Sequence, residues 1–359
     1  MAYRAVKSCI LNQMPLSELL LIEKIRALAR QTSGRRRGTK DALGAIRVGI
    51  GDDCAVLAGS ETHDLLVTTD LCIQDVHFRL DWHPAESVGH RCLTRGLSDI
   101  AAMGGEPTAA FLSLSMPAHL PQKWVDGFFK GFQRLAKRFG VSLAGGDIAT
   151  SPRGISADIV VLGRVPKGKA ILRSGARPGD LIYVTGILGC STEALAGFKL
   201  GERRSPSVTS THYFPQPRLK VGQRLREQGA ATAMIDISDG LSTDMAHICT
   251  ESRVSALLLR EAIPFDRSRK RRFGERFEED TRRYVFALHG GDDYELLFTA
   301  PRRKKMPHTL GGTRISNIGE IMPPKKGAVP ITIVHGDGRV EPLDMRGWEH
   351  FSSAEIGDR

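Results

Sequence analysis

The first region with a regular pattern of apolar positions is residues 16–30. Leucine and isoleucine recur there at helical spacing and Ser17 is a candidate N-cap, so the segment predicts a helix. Short apolar runs then predict strands at AIRVGI, DLLVTTD, TAAFLSLSM, VSLAG and ISADIVVLGRV. Residues 84–103 and 122–139, which lie between these runs, predict two longer amphipathic helices. The first half is therefore an α/β unit that ends near Val165.

The second half mixes strand and helix patterns in the same way. DLIYVTG and TAMIDIS predict strands, residues 192–200, 218–228 and 241–252 predict helices, and YVFALHGG, YELLFTA and ITIVHG follow or flank them. A PKGK turn at residues 166–169 is the best candidate for a domain boundary. Because helices and strands do not alternate as regular βαβ units, the pattern predicts an α/β (α+β) fold with mixed sheets flanked by helices.

These patterns predict two domains, an N-terminal α/β domain at residues 16–165 and a C-terminal α/β domain at residues 166–351. A ragged start at residues 1–15 and a tail at residues 352–359 flank them. A length of 359 residues fits two domains better than one core. The content of 41% hydrophobic and 25% charged residues is that of an ordinary globular protein.

Membrane, secretory and zinc-binding classes are disfavoured. The chain has no run of about 18 apolar residues, which a membrane helix needs, and its N-terminus lacks the apolar core of a signal peptide. A cytoplasmic protein with no membrane partner is expected. The six cysteines show no C-x-x-C spacing, which argues against a structural zinc site and a disulfide framework and predicts reduced, mostly buried thiols.

The net charge of +11 resides largely in short basic runs at residues 35–37, 267–272 and 302–305. These runs lie among Gly, Ser and Pro, without interleaved aromatic residues or a nucleic-acid-binding motif. They are interpreted as solvated loops, so no specific nucleic-acid partner is expected, although the positive field would help to attract anionic substrates.

Aspartates gather beside glycines at the ends of the predicted apolar strands. Any one of them is most simply a turn residue, but the recurrence is harder to explain in that way. Converging carboxylates raise each other's pKa unless a cation neutralises them, and oxygen ligands on Gly-flanked loops suit magnesium rather than zinc. The aspartates concerned are Asp52, Asp53, Asp70, Asp99, Asp147, Asp236, Asp239, Asp292 and Asp293.

Common nucleotide-binding motifs are absent from the chain. There is no G-x-x-x-x-G-K-[ST] loop, GIGDDC is not a G-x-G-x-x-G fingerprint, and there is no H-R-D and D-F-G pair. The residues alone thus indicate phosphoryl transfer or ATP hydrolysis with several metal ions, on a scaffold without a P-loop.

Several motifs together resemble one family. GIGDDCAVL, LLVTTDLCIQDVHF, LSDIAAMGGEP, LAGGD, ILRSGARPGD, IDISDGLSTD, GGDDYELLFT and GWEHF occur in the order of thiamine-monophosphate kinases, in the aminoimidazole-ribotide synthetase-like superfamily. The resemblance spans about residues 17–351. It implies a two-domain fold, a homodimer through N-terminal-domain strands, several Mg²⁺ ions, and the reaction of ATP with thiamine monophosphate to give ADP and thiamine diphosphate.

The resemblance also implies roles for individual residues. The implied metal ligands are Asp53, Thr68, Thr69, Asp70, Asp99, Asp147, Asp236 and Asp239, of which Asp53, Asp147 and Asp239 are assigned as catalytic. The implied ATP contacts are Phe129, Gly146, Asp147, Arg173 and Ser238. The implied contacts to the thiamine substrate are His77, Asp292 and Trp348.

Three positions depart from the family pattern. Asp292 stands where the family usually has Glu, Phe129 where it often has Tyr, and Gly96 where it usually has Asn. Pattern alone also leaves simpler alternatives for two substrate contacts, because His77 could be a strand-end histidine and Trp348 could pack into the core.

Two other function classes remain open from the residues alone. One is a related superfamily enzyme, although the chain lacks the Gly-rich reactive cysteine of selenophosphate synthetases and the C-terminal cysteine of the hydrogenase-maturation type. The other is a non-catalytic basic protein that binds nucleic acid.

Overall fold

The structure, a computed structural model, describes residues 17–33, 43–201, 210–266, 276–324 and 330–348. The chain divides into two compact units, one of residues 1–39 and 348–359 and one of residues 40–347. The basic runs at 35–37 and 267–272, Cys9, and the predicted ends at 1–15 and 352–359 lie outside the described residues. In the smaller unit, helix α1 (Glu18–Ser33) confirms the helix predicted at the start of the chain.

The larger unit begins with a six-stranded sheet. Its order is β1-β2-β3-β6-β4-β5, and every pair is antiparallel except β4 with β5. The strands are β1 (Ile46–Val48), β2 (Ala55–Ala58), β3 (His63–Ile73), β4 (Glu106–Met116), β5 (Ser142–Thr150) and β6 (Ser156–Pro166). All strand segments predicted in the first half are confirmed.

Helices α2 (Ala85–Ala102) and α3 (Gln122–Phe139) cover one face of this sheet, with α2 against it. Gly89 of α2 and Gly131 of α3 let the two helices touch backbone to backbone. A Cβ on Gly89 would lie 1.9 Å from the Phe128 carbonyl oxygen, and one on Gly131 would lie 1.8 Å from that of Glu86. Because nothing larger fits at this crossing, α2 is held rigidly in place.

Gly96 has a similar role on the sheet side of α2. A Cβ there would lie 2.5 Å from Val161 Cγ2 on β6, closer than real Cβ contacts, and 3.5 Å from Thr68 Cγ2 on β3. The glycine therefore lets α2 approach the sheet closely. This contact gives a physical reason for the departure at this position.

The second sheet follows in the chain after Pro166 and has eight strands. Its order is β14-β13-β9-β12-β7-β10-β8, β11 pairs with β12, and only β9 with β13 is parallel. The strands are β7 (Asp180–Thr185), β8 (Ala233–Ile237), β9 (Ser255–Leu259), β10 (Glu295–Pro301), β11 (Thr309–Leu310), β12 (Thr313–Met322), β13 (Ile331–Val334) and β14 (Val340–Pro342). Two mixed sheets with flanking helices confirm the predicted fold class.

The remaining helices belong to this second half. They are α4 (Cys190–Lys199), α5 (Ser210–Tyr213), α6 (Leu219–Glu227), α7 (Leu241–Ser252) and α8 (Arg276–His289), with a short 3₁₀ turn at Arg260–Ala262. YVFALH is the end of α8, and the long strand β12 was not predicted. One buried cluster contains Ile100 of the first half together with Leu225 and Phe298 of the second, so the halves share a core. The boundary after residue 165 stays a prediction.

The five described cysteines are buried, as expected, and no disulfide joins any two of them. Within the described ranges, no helix has both the length and the apolar character required to cross a membrane. The cytoplasmic location stays a prediction.

Candidate active site

Three carboxylates from different parts of the fold meet at one point. Asp53 lies in the turn before β2, Asp99 in the last turn of α2 and Asp236 on β8, and their oxygen atoms lie within 4.8 Å of one another. Asp53 and Asp236 are buried. The Thr68 hydroxyl on β3 donates to Asp99 Oδ2. The structure thus brings four of the predicted metal-site residues together.

This carboxylate cluster has too little positive charge around it. Burial and the neighbouring Asp53 raise the pKa of Asp236 to about 8. Burial, followed by the charges of Asp70, Asp236 and Asp53, raises the pKa of Asp99 well above its ordinary value. Asp99 also lies at the C-terminal end of α2, where the helix dipole is negative. Such a site favours either protons or bound cations.

Arg173, a predicted ATP contact, is the basic residue at this cluster. Its Nη2 lies 2.6 Å from Asp53 Oδ1, and its backbone N–H donates to both oxygens of Asp52 at 3.2 Å. Burial and the adjacent Asp53 raise the pKa of Asp52 to about 7. The other oxygen of Asp53, Oδ2, is buried and has no hydrogen-bond partner. A buried acceptor of this kind in an all-oxygen set fits a magnesium ion.

A second group lies at the start of α7. Oxygen or nitrogen atoms of Asp239, Asp244 and His247 lie within 4.8 Å of one another. Asp244 Oδ2 accepts from the backbone N–H of Gly240 at 3.0 Å and of Asp239 at 3.3 Å, so this carboxylate shapes the loop that carries Asp239. Sequence reasoning missed Asp244, although its place in the first turn of a helix is a known position for such bonds.

Two predicted metal ligands lie on the opposite face of the six-stranded sheet. Thr68 and Asp70 of β3 face the helices, whereas Thr69 faces away and donates to Asp158 Oδ1 at 2.8 Å. Asp147 pairs across the sheet with Ser113, which pairs with Asp158 on the same exposed face. A cavity of about 140 Å³ is lined there by Ser113, Ser115, Asp147, Ser156 and Asp158. The structure does not bring Thr69 or Asp147 to the carboxylate cluster, and their metal roles stay predictions.

Gly146 precedes Asp147 and has a conformation that only glycine adopts easily. Its φ is 151°, and a Cβ there would lie 1.8 Å from the carbonyl oxygen of Leu112. Because glycine has no side chain, the nucleotide contact predicted at Gly146 would be made by its backbone. That contact stays a prediction.

The predicted substrate contacts His77 and Asp292 are joined by Arg91, which sequence reasoning missed. Arg91 Nη2 donates to Asp292 Oδ2 at 2.7 Å and to the His77 carbonyl at 3.4 Å. Tyr294 donates its hydroxyl to Asp292 Oδ1 at 2.7 Å, and Arg95 Nη1 lies 3.7 Å from the same oxygen. Burial opposes ionisation of Asp292, but Arg91 and Arg95 hold the pKa of that carboxyl below its usual range.

The remaining predicted residues are placed as follows. The Ser238 carbonyl accepts from the backbone N–H of Asp292 at 2.8 Å, so the Asp239 loop and the Asp292 loop are neighbours. Phe129 of α3 is half-buried and lies edge-to-face against Phe128, with ring centroids 5.5 Å apart. Trp348 belongs to the smaller unit, and its substrate contact stays a prediction.

Chemically, the site combines a buried all-oxygen cluster, basic side chains beside it and the N-terminus of a twelve-residue helix, α7. This combination is suited to binding phosphate groups together with divalent cations.

The family model described as AIR synthase related protein, N-terminal domain, matches residues 51–165. Residues 51–165 are therefore similar to the N-terminal domain of that class of proteins.

Sequence identity to curated relatives identifies the family of this chain. The thiamine-monophosphate kinase of Escherichia coli K12 is 34% identical over 317 residues, covering 86% of this chain and 93% of the relative. That of Bacillus subtilis is 32% identical over 319 residues, covering 86% and 94%. The chain belongs to the thiamine-monophosphate kinase family.

Solved structures of thiamine-monophosphate kinases are similar in fold to this chain. AaThiL complexed with AMPPCP and TMP has a TM-score of 0.77 and 27% identity, covering 94% of this chain and 99% of that one. The thiamine-monophosphate kinase of Stenotrophomonas maltophilia has a TM-score of 0.69 and 33% identity, covering 89% and 97%. The hydrogenase maturation protein HypE in complex with ATP shares the fold, with a TM-score of 0.65 at 18% identity.

Proposed function

We propose that this protein transfers the γ-phosphoryl group of ATP to thiamine monophosphate, giving thiamine diphosphate and ADP. The observation that carries the proposal is the Asp53–Asp99–Asp236 cluster, whose carboxylates could hold a cation and which lies beside Arg173. Membership of the kinase family supports it, as does the binding of AMPPCP and TMP by AaThiL, a relative of the same fold.

Magnesium is the cation that this cluster would hold, with Asp53, Asp99 and Asp236 as ligands. Bound there, it would neutralise the negative charge that develops on the transferred phosphoryl group. Asp70 is a further candidate, because it lies on the same face of β3 as Thr68 and adds its charge to that of Asp99.

The protein's own residues bind and orient the two phosphates. The acceptor is a phosphate monoester that is already anionic near neutral pH, so the reaction needs no strong general base. Arg173 places a fixed positive charge beside Asp53, where it can contact a polyphosphate. The N-terminus of α7, which follows the Asp239 loop, offers the positive end of its helix dipole to an anion. Catalysis then consists of positioning and charge stabilisation.

A homodimer formed through the six-stranded sheet is part of the proposal. Strand β5 is the edge of that sheet and is exposed along its whole length, and Leu143 and Ile148 on it are exposed apolar residues. Long exposed edge strands with apolar side chains invite pairing with another chain. A solution mass of one chain at micromolar concentration would contradict this.

The function is tested by incubating the purified protein with ATP, Mg²⁺ and thiamine monophosphate. Thiamine diphosphate and ADP are expected to appear in equal amounts, and a chelator should abolish both. Thiamine in place of thiamine monophosphate is the matched control, because it offers a hydroxyl rather than a phosphate. Absence of thiamine diphosphate from folded protein would contradict the proposal.

A further inference from the structure

Helix α2 presents three charged residues at intervals of four, namely Arg91, Arg95 and Asp99. Residues four apart lie on the same face of a helix, one turn above the other. Asp99 reaches the carboxylate cluster, while Arg91 and Arg95 reach the Asp292 loop. One helix face therefore connects the metal end of the proposed site to its substrate end.

Arg91 is the buried member of this row. Its side chain is 2% exposed, and it donates to the carbonyl oxygens of His212 at 2.6 Å and His77 at 3.4 Å as well as to Asp292. A buried guanidinium is stable only when its donors are satisfied. These bonds fix the Asp292 carboxylate in one orientation, while 31% of that side chain stays exposed.

Arg95 spans the two ends directly. Its Nε donates to Asp70 Oδ1 at 3.2 Å, and its Nη1 donates to the Tyr294 hydroxyl at 3.1 Å, which in turn donates to Asp292. Asp292 and Tyr294 both have positive φ values, 62° and 52°, which non-glycine residues seldom adopt. The loop is thus held in an uncommon backbone conformation by a side-chain network centred on Arg95 and Arg91.

We propose that Arg95, supported by Arg91, is a positioning residue for thiamine monophosphate: it holds the partly exposed Asp292 carboxylate at a fixed place relative to Asp70. The inference rests on the proposed function and assigns the orientation of the substrate's organic end to two arginines on α2. Arg95 acts through Asp292 and is not itself a catalytic residue.

The test is a double-mutant cycle of Arg95→Met and Asp292→Asn, with KM and kcat measured separately for each substrate. Arg95→Met should raise the KM for thiamine monophosphate by about tenfold and change the KM for ATP by less than about threefold. In the Asp292→Asn background, Arg95→Met should have little further effect, because residues that act as one unit are not additive. Arg95→Lys should restore part of the affinity for thiamine monophosphate, since lysine keeps the positive charge but lacks the planar set of N–H donors of the guanidinium.

Arg339→Met is the matched control, because Arg339 makes a similar pair with Asp337 in an exposed turn, 2.8 Å apart. It should leave all constants unchanged. If Arg95→Met lowers the melting temperature too far for kinetics, Arg95→Lys and Arg91→Lys carry the test, each with a selective rise in the KM for thiamine monophosphate. An unchanged KM, additive effects in the cycle, or equal losses for both substrates would overturn the inference. A wild-type protein that forms no thiamine diphosphate would instead overturn the proposed function.

Discussion

The middle and the C-terminal end of helix α2 lie in opposite electrostatic environments. At its C-terminal end, Asp99 meets Asp53 and Asp236, and burial together with repulsion between carboxylates raises the pKa values of Asp99 and Asp236. One turn and two turns earlier, Arg95 and Arg91 meet Asp292, whose pKa is held below its usual range. In the first region Arg173 pairs with Asp53, but the carboxylates outnumber this positive charge, whereas the second region is balanced by the protein's own residues.

This difference indicates which parts of the site are formed before any ligand binds. Because the Asp292 region already has its partners, it is pre-organised, and binding there costs little rearrangement. On the proposed function, bound cations would complete the carboxylate cluster, so its geometry would depend on what binds. The expected effects of substitution therefore differ in kind: turnover and metal dependence at one end, substrate affinity at the other.

The largest effect is expected for Asp236→Asn. Removal of this ligand should lower kcat by about a hundredfold or more, because charge stabilisation in phosphoryl transfer depends on the bound cation. In the presence of a chelator and above about pH 8, where Asp236 is ionised, the variant should be no less stable than wild type, because a repelling buried charge has been removed. Steady-state kinetics and thermal melting measure the two quantities.

Asp337→Asn in an exposed turn is the control for that substitution and should be neutral. Near-normal turnover of Asp236→Asn at saturating Mg²⁺ would mean that the cluster is not the metal site.

A smaller effect is expected from pH on the stability of the metal-free protein. The pKa of Asp236 is about 8 in the folded state against an ordinary value of 3.8, so the unfolded chain loses this proton at lower pH. Stability should therefore fall as pH rises through this interval, from about pH 4 to about pH 8. Mg²⁺ should reverse the trend, since it stabilises the ionised cluster.

Melting temperatures measured across this range with chelator and with Mg²⁺ test the sign. The Asp236→Asn variant should show a shallower slope in chelator. Identical slopes with and without Mg²⁺ would contradict the description of the cluster as short of cations.

The smallest effect is expected for Tyr294→Phe, at the balanced end. The ring is buried and would stay in place, but Asp292 loses one hydrogen bond while Arg91 remains. One such bond contributes about 0.5–1.5 kcal/mol, which corresponds to a rise of roughly two- to tenfold in the KM for thiamine monophosphate. The KM for ATP serves as the internal control, and an equal change in both would contradict a local role.

The two ends also differ in how far the sequence predicts them. Asp53, Asp99 and Asp236 each lie within four residues of a glycine and near the end of a strand or helix, and this recurring pattern predicts a metal site. Arg91 and Arg95 lie within an amphipathic helix, where charged residues four apart ordinarily form a solvated face. Their partner Asp292 is about 200 positions away in the chain, so only the fold shows that they meet.

Sheet register and packing account for two further limits. Thr68 and Thr69 are adjacent in the same motif, yet successive strand residues face opposite sides of a sheet, so the two threonines are separated. Gly96 departs from the family pattern for a reason that appears only once Val161 is placed beside it. Neither the face of a side chain nor its neighbour across an interface follows from local pattern alone.

The regular spacing along α2 fixes the distance between the Asp99 cluster and the Asp292 loop. Eight residues separate Arg91 from Asp99, and a rise of about 1.5 Å per residue sets their Cα atoms about 12 Å apart. Insertion or deletion of one residue between them would rotate one end by about 100° relative to the other. Evolution can therefore change side chains in this segment one at a time, but it cannot readily change the segment's length.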